Sequence, residues 1–530
     1  MAMNWAQTTY AKLTLDQKLG QLMVSYVDNE EDIFDLARRG ALGGLYSVCG
    51  NTVAEAAAWV AGIQRMSPVP LLICADFERG NEFAGGTALP TAMAVGATGD
   101  PNWAHRAGRI TALETRAMGF RLLGSPVADI NNNPRNPIVN TRSYGDNPEL
   151  VSRMAVAYLQ AVQNEGMYAC VKHFPGHGNM AVDSHRVLPT ISDPLEQLEA
   201  MELAPFQAGI DNGVKSVMPG HIRLSALDPE HPATLSRKVL QGLLRKRMGF
   251  EGLILSDAME MHAVAHNYDF DAAVGLAVEG GCDAVLPSQS IRTHEALKKA
   301  YADGVLTENR LQESVLRILS AKEELQLAGS YPDPEAAARV GADPEHKRTA
   351  RQIAEASIAV YVDEAGLLPL LPARSKGIVA VTVANYDASD IKSSLDKAQE
   401  KDRFEKALRD NYRVQAIHHI TPQQARPFDS IQEHDVDAVV VGVFARLMAY
   451  NANSGWLPKP VQDLLEHILQ KAKNCYVVSF DNPYPLMDVE GLHTCICAFS
   501  HAAVSIDAAV KTLSGAIPAQ GCMPGLARRE

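Results

Sequence analysis

The chain reads as an α/β protein of two domains, an N-terminal (β/α)8 TIM barrel followed by a smaller α/β/α sandwich. Three observations predict this. Eight short apolar runs alternate with longer amphipathic stretches through the first 330 residues. Polar and ionisable residues gather at the C-terminal ends of those runs. A second alternation of the same kind begins beyond a proline-bearing stretch at 328–346.

The eight runs are LGQLMVSYV from Leu19, GGLYSV from Gly43, LLICADF from Leu71, FRLLGSPVADI from Phe120, YACVKHF from Tyr168, VKSVMPGHI from Val214, GLILSDAM from Gly252 and CDAVLP from Cys282. Near-continuous apolar runs of this length suit strands buried on both faces of a parallel sheet. Helical patterns lie between most of them, over 52–66, 101–119, 148–166, 194–213 and 236–248. Several open on Ser, Thr, Asp or Pro and close near Gly, as helix caps require. Strands alternating with helices argue for a barrel. The polar residues at the run ends are Asp76, Asp129, Lys172, His173, His221 and Asp257, and barrel enzymes build their sites at that end. The bland alternative is that loops simply begin there. It accounts for an occasional Asp, and less well for a Lys–His pair and several aspartates together.

The stretch 328–346, with three prolines, reads as a linker or wrapping segment. A helix follows near 347–359. Five further strand candidates begin at Gly377, Tyr412, Asp437, Cys475 and His493, separated by helical stretches. The expected division is a barrel over 1–335, a linker and connecting helix over 336–360 and a sandwich over 361–530. No internal repeat is visible. A chain of 530 residues would hold about three domains at ~150 residues each, but a barrel can absorb ~250 or more.

Composition narrows the function. The chain is 46% hydrophobic and 21% charged, with a net charge of −13, which disfavours the polyanionic surfaces of nucleic acids and acidic membranes. No 18-residue apolar run marks a membrane span. The first twenty residues lack a basic segment followed by an apolar one, so no secretory signal is read. The eight cysteines include no CxxC and read as reduced thiols. A cytoplasmic soluble protein is expected, and nothing in the charge opposes a small neutral sugar as substrate.

Two motifs carry chemistry. The first, KHFPGHGNMAVDSH at 172–185, holds a lysine, three histidines and an aspartate on a Gly- and Pro-rich loop after a strand. Chance polar loop residues are one reading. A metal site from His173, His177 and His185 is another, opposed by the cation of Lys172. The third is an acid/base dyad in which Asp183 orients His185. The second motif, GLILSDAMEM, ends a buried apolar run on Asp257. A carboxylate there is costly unless paired or used, or it caps a following helix over 258–281.

Taken together, KHFPGHG followed after four residues by DSH resembles the signature of glycoside hydrolase family 3, in its NagZ-type β-N-acetylglucosaminidase branch. SDAMEM resembles that family's nucleophile segment, and PVADINNNPRNPIVNTRSYGDNP another of its barrel stretches. The resemblance spans roughly 10–330. It implies the same barrel and a two-step retaining hydrolysis of terminal N-acetyl-β-D-glucosaminides, such as muropeptide fragments in cell-wall recycling. Asp257 would be the nucleophile, and His185, held by Asp183, the acid/base. Lys172, His173, Arg142 and Asp76 would bind sugar hydroxyls, with His221 and Met218 of MPGH on the site wall. Neither a cofactor nor a resident metal is implied. One departure stands out. The family's Asp-x-Glu-Gly-Gly stretch with an arginine eight residues after the Asp reads here Asp76-Phe77-Glu78-Arg79-Gly80-Asn81, with Ala84 at the arginine position. Arg79 is the nearest replacement.

The physical logic agrees: retention needs a nucleophile on one face of the sugar and a proton donor on the other, and imidazole titrates near neutrality unaided. The alternatives are a glycoside phosphorylase using the same intermediate, a β-glucosidase, and a non-catalytic sugar-binding paralogue.

Overall fold

The computed structural model describes residues 4–180, 188–364, 366–390, 400–424, 436–448 and 454–525. The eight apolar runs each contribute one strand: β1 (Val24–Ser25), β2 (Gly44–Leu45), β3 (Leu72–Ala75), β4 (Leu122–Leu123), β5 (Tyr168–Phe174), β6 (Ser216–Pro219), β7 (Leu253–Ala258) and β8 (Ala284–Leu286). They lie side by side in chain order, all parallel. The ring closes through the Met23–Val285 bridge, where the Val285 N–H donates to the Leu22 carbonyl at 2.9 Å. Every residue of β5 is buried, which is why its sequence is apolar without alternation.

The helices start where the caps predict. Thr52 accepts from the Glu55 N–H and completes a capping box. Asp100–Pro101 and Asn147–Pro148 open the next two long helices, since a proline in the first turn forfeits no helical bond. Two helical stretches differ from expectation. The 194–213 pattern forms two helices, Leu195–Ala200 and Ala204–Asp211, because Pro205 lacks the N–H that a continuous helix needs there. The stretch 258–281 holds a short helix, His262–Ala265, and a longer one, Phe270–Gly280, capped by Asp269. Asp257 caps neither.

The proline-bearing connector is helical. Pro334–Gly341 and Pro344–Ser357 each follow an aspartate cap. His346 Nδ1 lies 2.8 Å from Glu114 Oε1, which ties the connector to a barrel helix. Six strands make the second sheet: β9 (Ala359–Asp363), β10 (Ile378–Ala384), β11 (Val414–Ile420), β12 (Ala438–Ala445), β13 (Cys475–Asp481) and β14 (Thr494–Cys497), in the spatial order β9-β14-β13-β12-β10-β11. Five are parallel, and β9 runs antiparallel to β14. Strand β9 was not among the five expected. It follows a helix almost at once, and its half-exposed edge leaves Val360 in solvent. Met93, Ala94 and Ala97 of the barrel chain join the core on one face of this sheet, so apolar packing couples the two units.

Lys322 is fully buried, and its Nζ donates to Gln21 Oε1 at 2.6 Å. Burial pushes its ammonium down to about 7. The unfolded chain keeps that proton up to the ordinary lysine range, so between pH ~7 and ~10 it binds more protons than the folded chain and stability rises with pH. Against a Lys322→Met variant, wild type should gain about 1.4 kcal/mol per pH unit across that window. Urea unfolding at several pH values checks this, and parallel stability curves would refute it. Among the described residues no helix is long and apolar enough to cross a membrane.

Candidate active site

The C-terminal ends of the barrel strands surround a cavity of about 370 Å³, lined among others by Tyr46, Asp76, Arg142, Lys172, His173, His177, Met218, Asp257 and Glu260. Strands β3 and β7 are third and seventh in a ring of eight, so Asp76 and Asp257 follow or end strands that face each other across the mouth.

On the β3 side the site is an ion network. Glu78, two residues beyond Asp76, accepts from Arg142 Nε at 2.8 Å and Nη2 at 2.7 Å, the bidentate fork that a guanidinium offers a carboxylate. Lys172 Nζ, on the fully buried β5, pairs with Asp76 and lies 2.7 Å from Glu78 Oε1. The Tyr46 hydroxyl donates to Asp76 Oδ1 at 2.8 Å. Burial would raise the Glu78 carboxyl, but Arg142 and Lys172 hold it well below the ordinary range. Burial would likewise favour deprotonated Lys172, and the carboxylates of Asp76 and Glu78 hold it protonated instead. Two cations and two carboxylates thus fix one another at the closed end of the mouth.

Asp129 organises the histidines. Its Oδ1 accepts from the backbone N–H groups of His173 at 3.1 Å and His177 at 2.7 Å. Its Oδ2 lies 2.7 Å from His173 Nδ1. Arg142 Nη2 is 3.5 Å from His173 Nε2 and can only donate. The ring is therefore assigned the Nδ1–H tautomer, with Nε2 toward the cavity. Burial, partly offset by Asp129, pushes His177 down to about 4, so it is neutral near pH 7. The backbone approaches closely here: a Cβ on Gly178 would sit 1.4 Å from the Ile130 carbonyl oxygen, so only glycine fits. The rings of His173 and His177 stand edge to face, 6.1 Å apart. His185, the third member of the alternative metal set, lies outside the described residues, as does Asp183. Among the described residues no group of three or more His, Cys, Asp and Glu is placed to hold a metal ion.

Asp257 ends the buried strand β7, and its Oδ1 accepts from the next backbone N–H at 2.8 Å. Burial would raise its carboxyl. The facing His173 and His221 side chains, the Ala258 N–H and the Lys172 ammonium together outweigh burial and hold it low, which favours the carboxylate at neutral pH. His221 stands behind this strand end, its Nδ1 2.9 Å from Thr234 Oγ1 and its Nε2 2.8 Å from the Ala258 carbonyl. It braces the strand that carries Asp257 and is not among the residues lining the cavity. Met218, on β6, lines the cavity. Arg79 stands apart from it: Nη1 meets His501 Nε2 of the second sheet at 3.1 Å, and Nη2 pairs with Glu82. Ala84 bridges to Thr52, well outside the cavity.

Two residues, Glu78 and Glu260, and the contacts of a third, Asp129, are not legible in the sequence. Glu78 has partners 64 and 94 positions away, which no local spacing reveals. Asp129 was visible as a strand-end polar residue, but its two-sided grip on 173 and 177 was not. Glu260 lines the cavity three residues beyond Asp257. Its Oε1 accepts from the Ser288 N–H at 2.7 Å, and burial raises its carboxyl. The run SDAMEM carried the only signal for it.

A closed parallel barrel with carboxylates, a lysine and a forked arginine at its mouth defines an enzyme built to grip a small polyhydroxyl substrate. Residues 14–321 match the glycosyl hydrolase family 3 N terminal domain. A "Beta-N-acetylglucosaminidase/beta-glucosidase" of Cellulomonas fimi is 32% identical, over 98% of this chain and 95% of that protein. The solved family 3 β-N-acetylglucosaminidase of Paenibacillus sp. str. FPU-7 is similar with a TM-score of 0.85 and 30% identity, covering 97% of this chain and 98% of that one. A β-glucoside phosphorylase solved with 2FGlc bound is similar with a TM-score of 0.86 and 28% identity, covering 98% and 95%. The chain belongs to glycosyl hydrolase family 3 and is a glycoside hydrolase.

Proposed function

We propose that this enzyme is a retaining, exo-acting β-N-acetylglucosaminidase that works through a covalent glycosyl-enzyme on Asp257. The observation that carries the reading is the placement of the Asp257 carboxylate on the cavity wall, across the mouth from the Asp76–Lys172–Glu78–Arg142 network. A terminal sugar enters with its anomeric carbon over Asp257 and its far hydroxyls on Asp76, Lys172, His173 and Arg142. Asp257 attacks, and His185, charged and oriented by Asp183, protonates the departing oxygen and later takes a proton from water. Arg79 does not reach this sugar from its place beside His501. The 2-acetamido preference rests on the resemblance at KHFPGHG and DSH and on relatives bearing that activity in their names. In this reading the physiological substrate is a muropeptide fragment of the cell wall, met in the cytoplasm.

A panel of aryl β-glycosides differing at the 2-position tests the proposal. The N-acetylglucosaminide should be turned over best, with the β-anomer of the sugar released first. Preference for a 2-hydroxyl would favour a β-glucosidase, and an α-anomer would overturn retention. His185→Ala should cost ~10²–10⁴-fold on substrates with poor leaving groups and far less on activated aryl glycosides. Equal losses on both would remove His185 from the acid role.

The likeness to a β-glucoside phosphorylase favours a second reading, in which phosphate takes the sugar from Asp257. A histidine acid/base repels phosphate less than a carboxylate would. Sugar 1-phosphate formed only when phosphate is supplied would establish it.

A further inference from the structure

The parallel strands of the second sheet run in the spatial order β11-β10-β12-β13-β14, which is two-one-three-four-five in chain order. In doubly wound sheets of this order, ligands sit in the crevice beyond the carboxyl ends of the strands. Here those ends face the barrel. Arg446 follows β12, Asp481 ends β13 and His501 follows β14. With Glu78, Arg79 and Arg142 of the barrel, they line a cleft of about 220 Å³. Asp257 does not line it, and the catalytic scheme above makes no use of Asp481 or His501.

The cleft is built from buried polar groups. Asp481 is 4% exposed and sits at φ 62°, in the left-handed region that aspartate adopts more readily than most non-glycine residues. Its Oδ1 lies 2.6 Å from His501 Nδ1. Arg79 donates to His501 Nε2 at 3.1 Å, so the imidazole proton sits on Nδ1 and points at Asp481. Asp481 Oδ2 is buried and, among the described residues, has no hydrogen-bond partner. A buried acceptor without a donor is costly unless something supplies one. As a carboxylate oxygen, Asp481 Oδ2 can only accept, and a sugar hydroxyl supplies the donor it lacks.

We propose that this cleft is a second carbohydrate-binding site, taking one sugar ring through hydroxyl contacts to Asp481 and to the Arg79 guanidinium. It is smaller than the ~300–1,000 Å³ of sites for drug-sized ligands, which suits a single ring. The proposal rests on the reading of the chain as a sugar-processing enzyme. Arg142 lines both cavities, so an occupant of the cleft touches the residue that grips the catalytic sugar. In the exo-acting reading the leaving residue departs from the anomeric carbon over Asp257, across the mouth from this cleft, so the ring is a free monosaccharide.

The test is calorimetric titration of N-acetylglucosamine into wild type, Asp481→Asn and His501→Gln, alongside turnover of an aryl N-acetylglucosaminide and of the β-1,4-linked disaccharide. Wild type should show two classes of site, and each variant should weaken one class ~10-fold, the scale of one hydrogen bond to a charged group. Aryl turnover without added sugar should stay within about twofold. A disaccharide KM that rises in the variants would place a substrate ring in the cleft, overturning the exo-acting reading and leaving the second site standing. If that KM is unchanged and only the free-sugar titration loses affinity, the ring is a separate monosaccharide. A single class of site in wild type, or two classes retained in both variants whatever their melting temperatures, overturns the proposal. Two classes in a protein that turns over no N-acetylglucosaminide would sink the proposed function and leave the second site standing.

Discussion

Asp257→Ala should lower turnover of an aryl N-acetylglucosaminide by on the order of 10⁴-fold or more, while the melting temperature barely moves. The first half follows from covalent catalysis: without the carboxylate there is no group to displace the leaving oxygen and hold the sugar between the two steps. The second half follows from its surroundings. The side-chain hydrogen bond seen at Asp257 goes to the adjacent backbone N–H, and the strand that carries it is braced independently by His221 at the Ala258 carbonyl. Removing a buried carboxylate also removes its desolvation cost. Steady-state kinetics and thermal unfolding of the same sample check both halves. Substantial retained activity would take Asp257 out of the nucleophile's role. A large fall in melting temperature would make it a structural residue.

Glu78→Gln should do the opposite kind of damage. Glu78 accepts the Arg142 fork and the Lys172 ammonium at once, with its side chain 17% exposed. Neutralising it leaves two buried cations facing each other with Asp76 as remaining counter-charge. Breaking a buried ion pair on one side typically costs ~3–5 kcal/mol. Activity should fall with stability, because in the proposed function the same two cations bind the sugar hydroxyls. The pH dependence has a defined sign. The Glu78 carboxyl is held below its unfolded value, so its stabilising contribution is present above the unfolded carboxylate range and is lost as pH falls through the folded value. Wild type should therefore lose stability faster than Glu78→Gln below pH ~4. Chemical unfolding at pH 3–7 measures this. Equal stability of the two proteins at pH 7 would contradict the network as described.

Much of the fold was legible because burial on both faces writes itself into a parallel strand as an unbroken apolar run. All eight barrel strands announced themselves this way, even where only two residues pair, as at β1, β2 and β4. Strand β9 did not, since an edge strand that is partly exposed and follows a helix directly has no such run. The break before Pro205 was visible as a residue but not weighed against the helical periodicity around it. At the site, the residues that end apolar runs were readable as chemistry: Asp76, Lys172, His173 and Asp257 line one cavity. Their partners were not, because Glu78–Arg142, Asp129–His173 and Arg79–His501 pair across 64, 44 and 422 positions. Distance in sequence hides such pairs, and only the fold brings them together. The proposed dyad of Asp183 and His185 lies outside the described residues and remains a proposal drawn from its motif.

The central claim is a covalent bond between Asp257 and the sugar. Incubating the enzyme with a slow 5-fluoro N-acetylglucosaminide, or with a 2-deoxy-2-fluoro glucoside, followed by proteolysis and mass spectrometry, tests it most directly. The account predicts one added glycosyl unit on the peptide bearing GLILSDAMEM, with fragmentation placing it on Asp257 and no adduct in Asp257→Ala. An adduct on any other residue, or turnover that releases inverted product with no adduct at all, would contradict it.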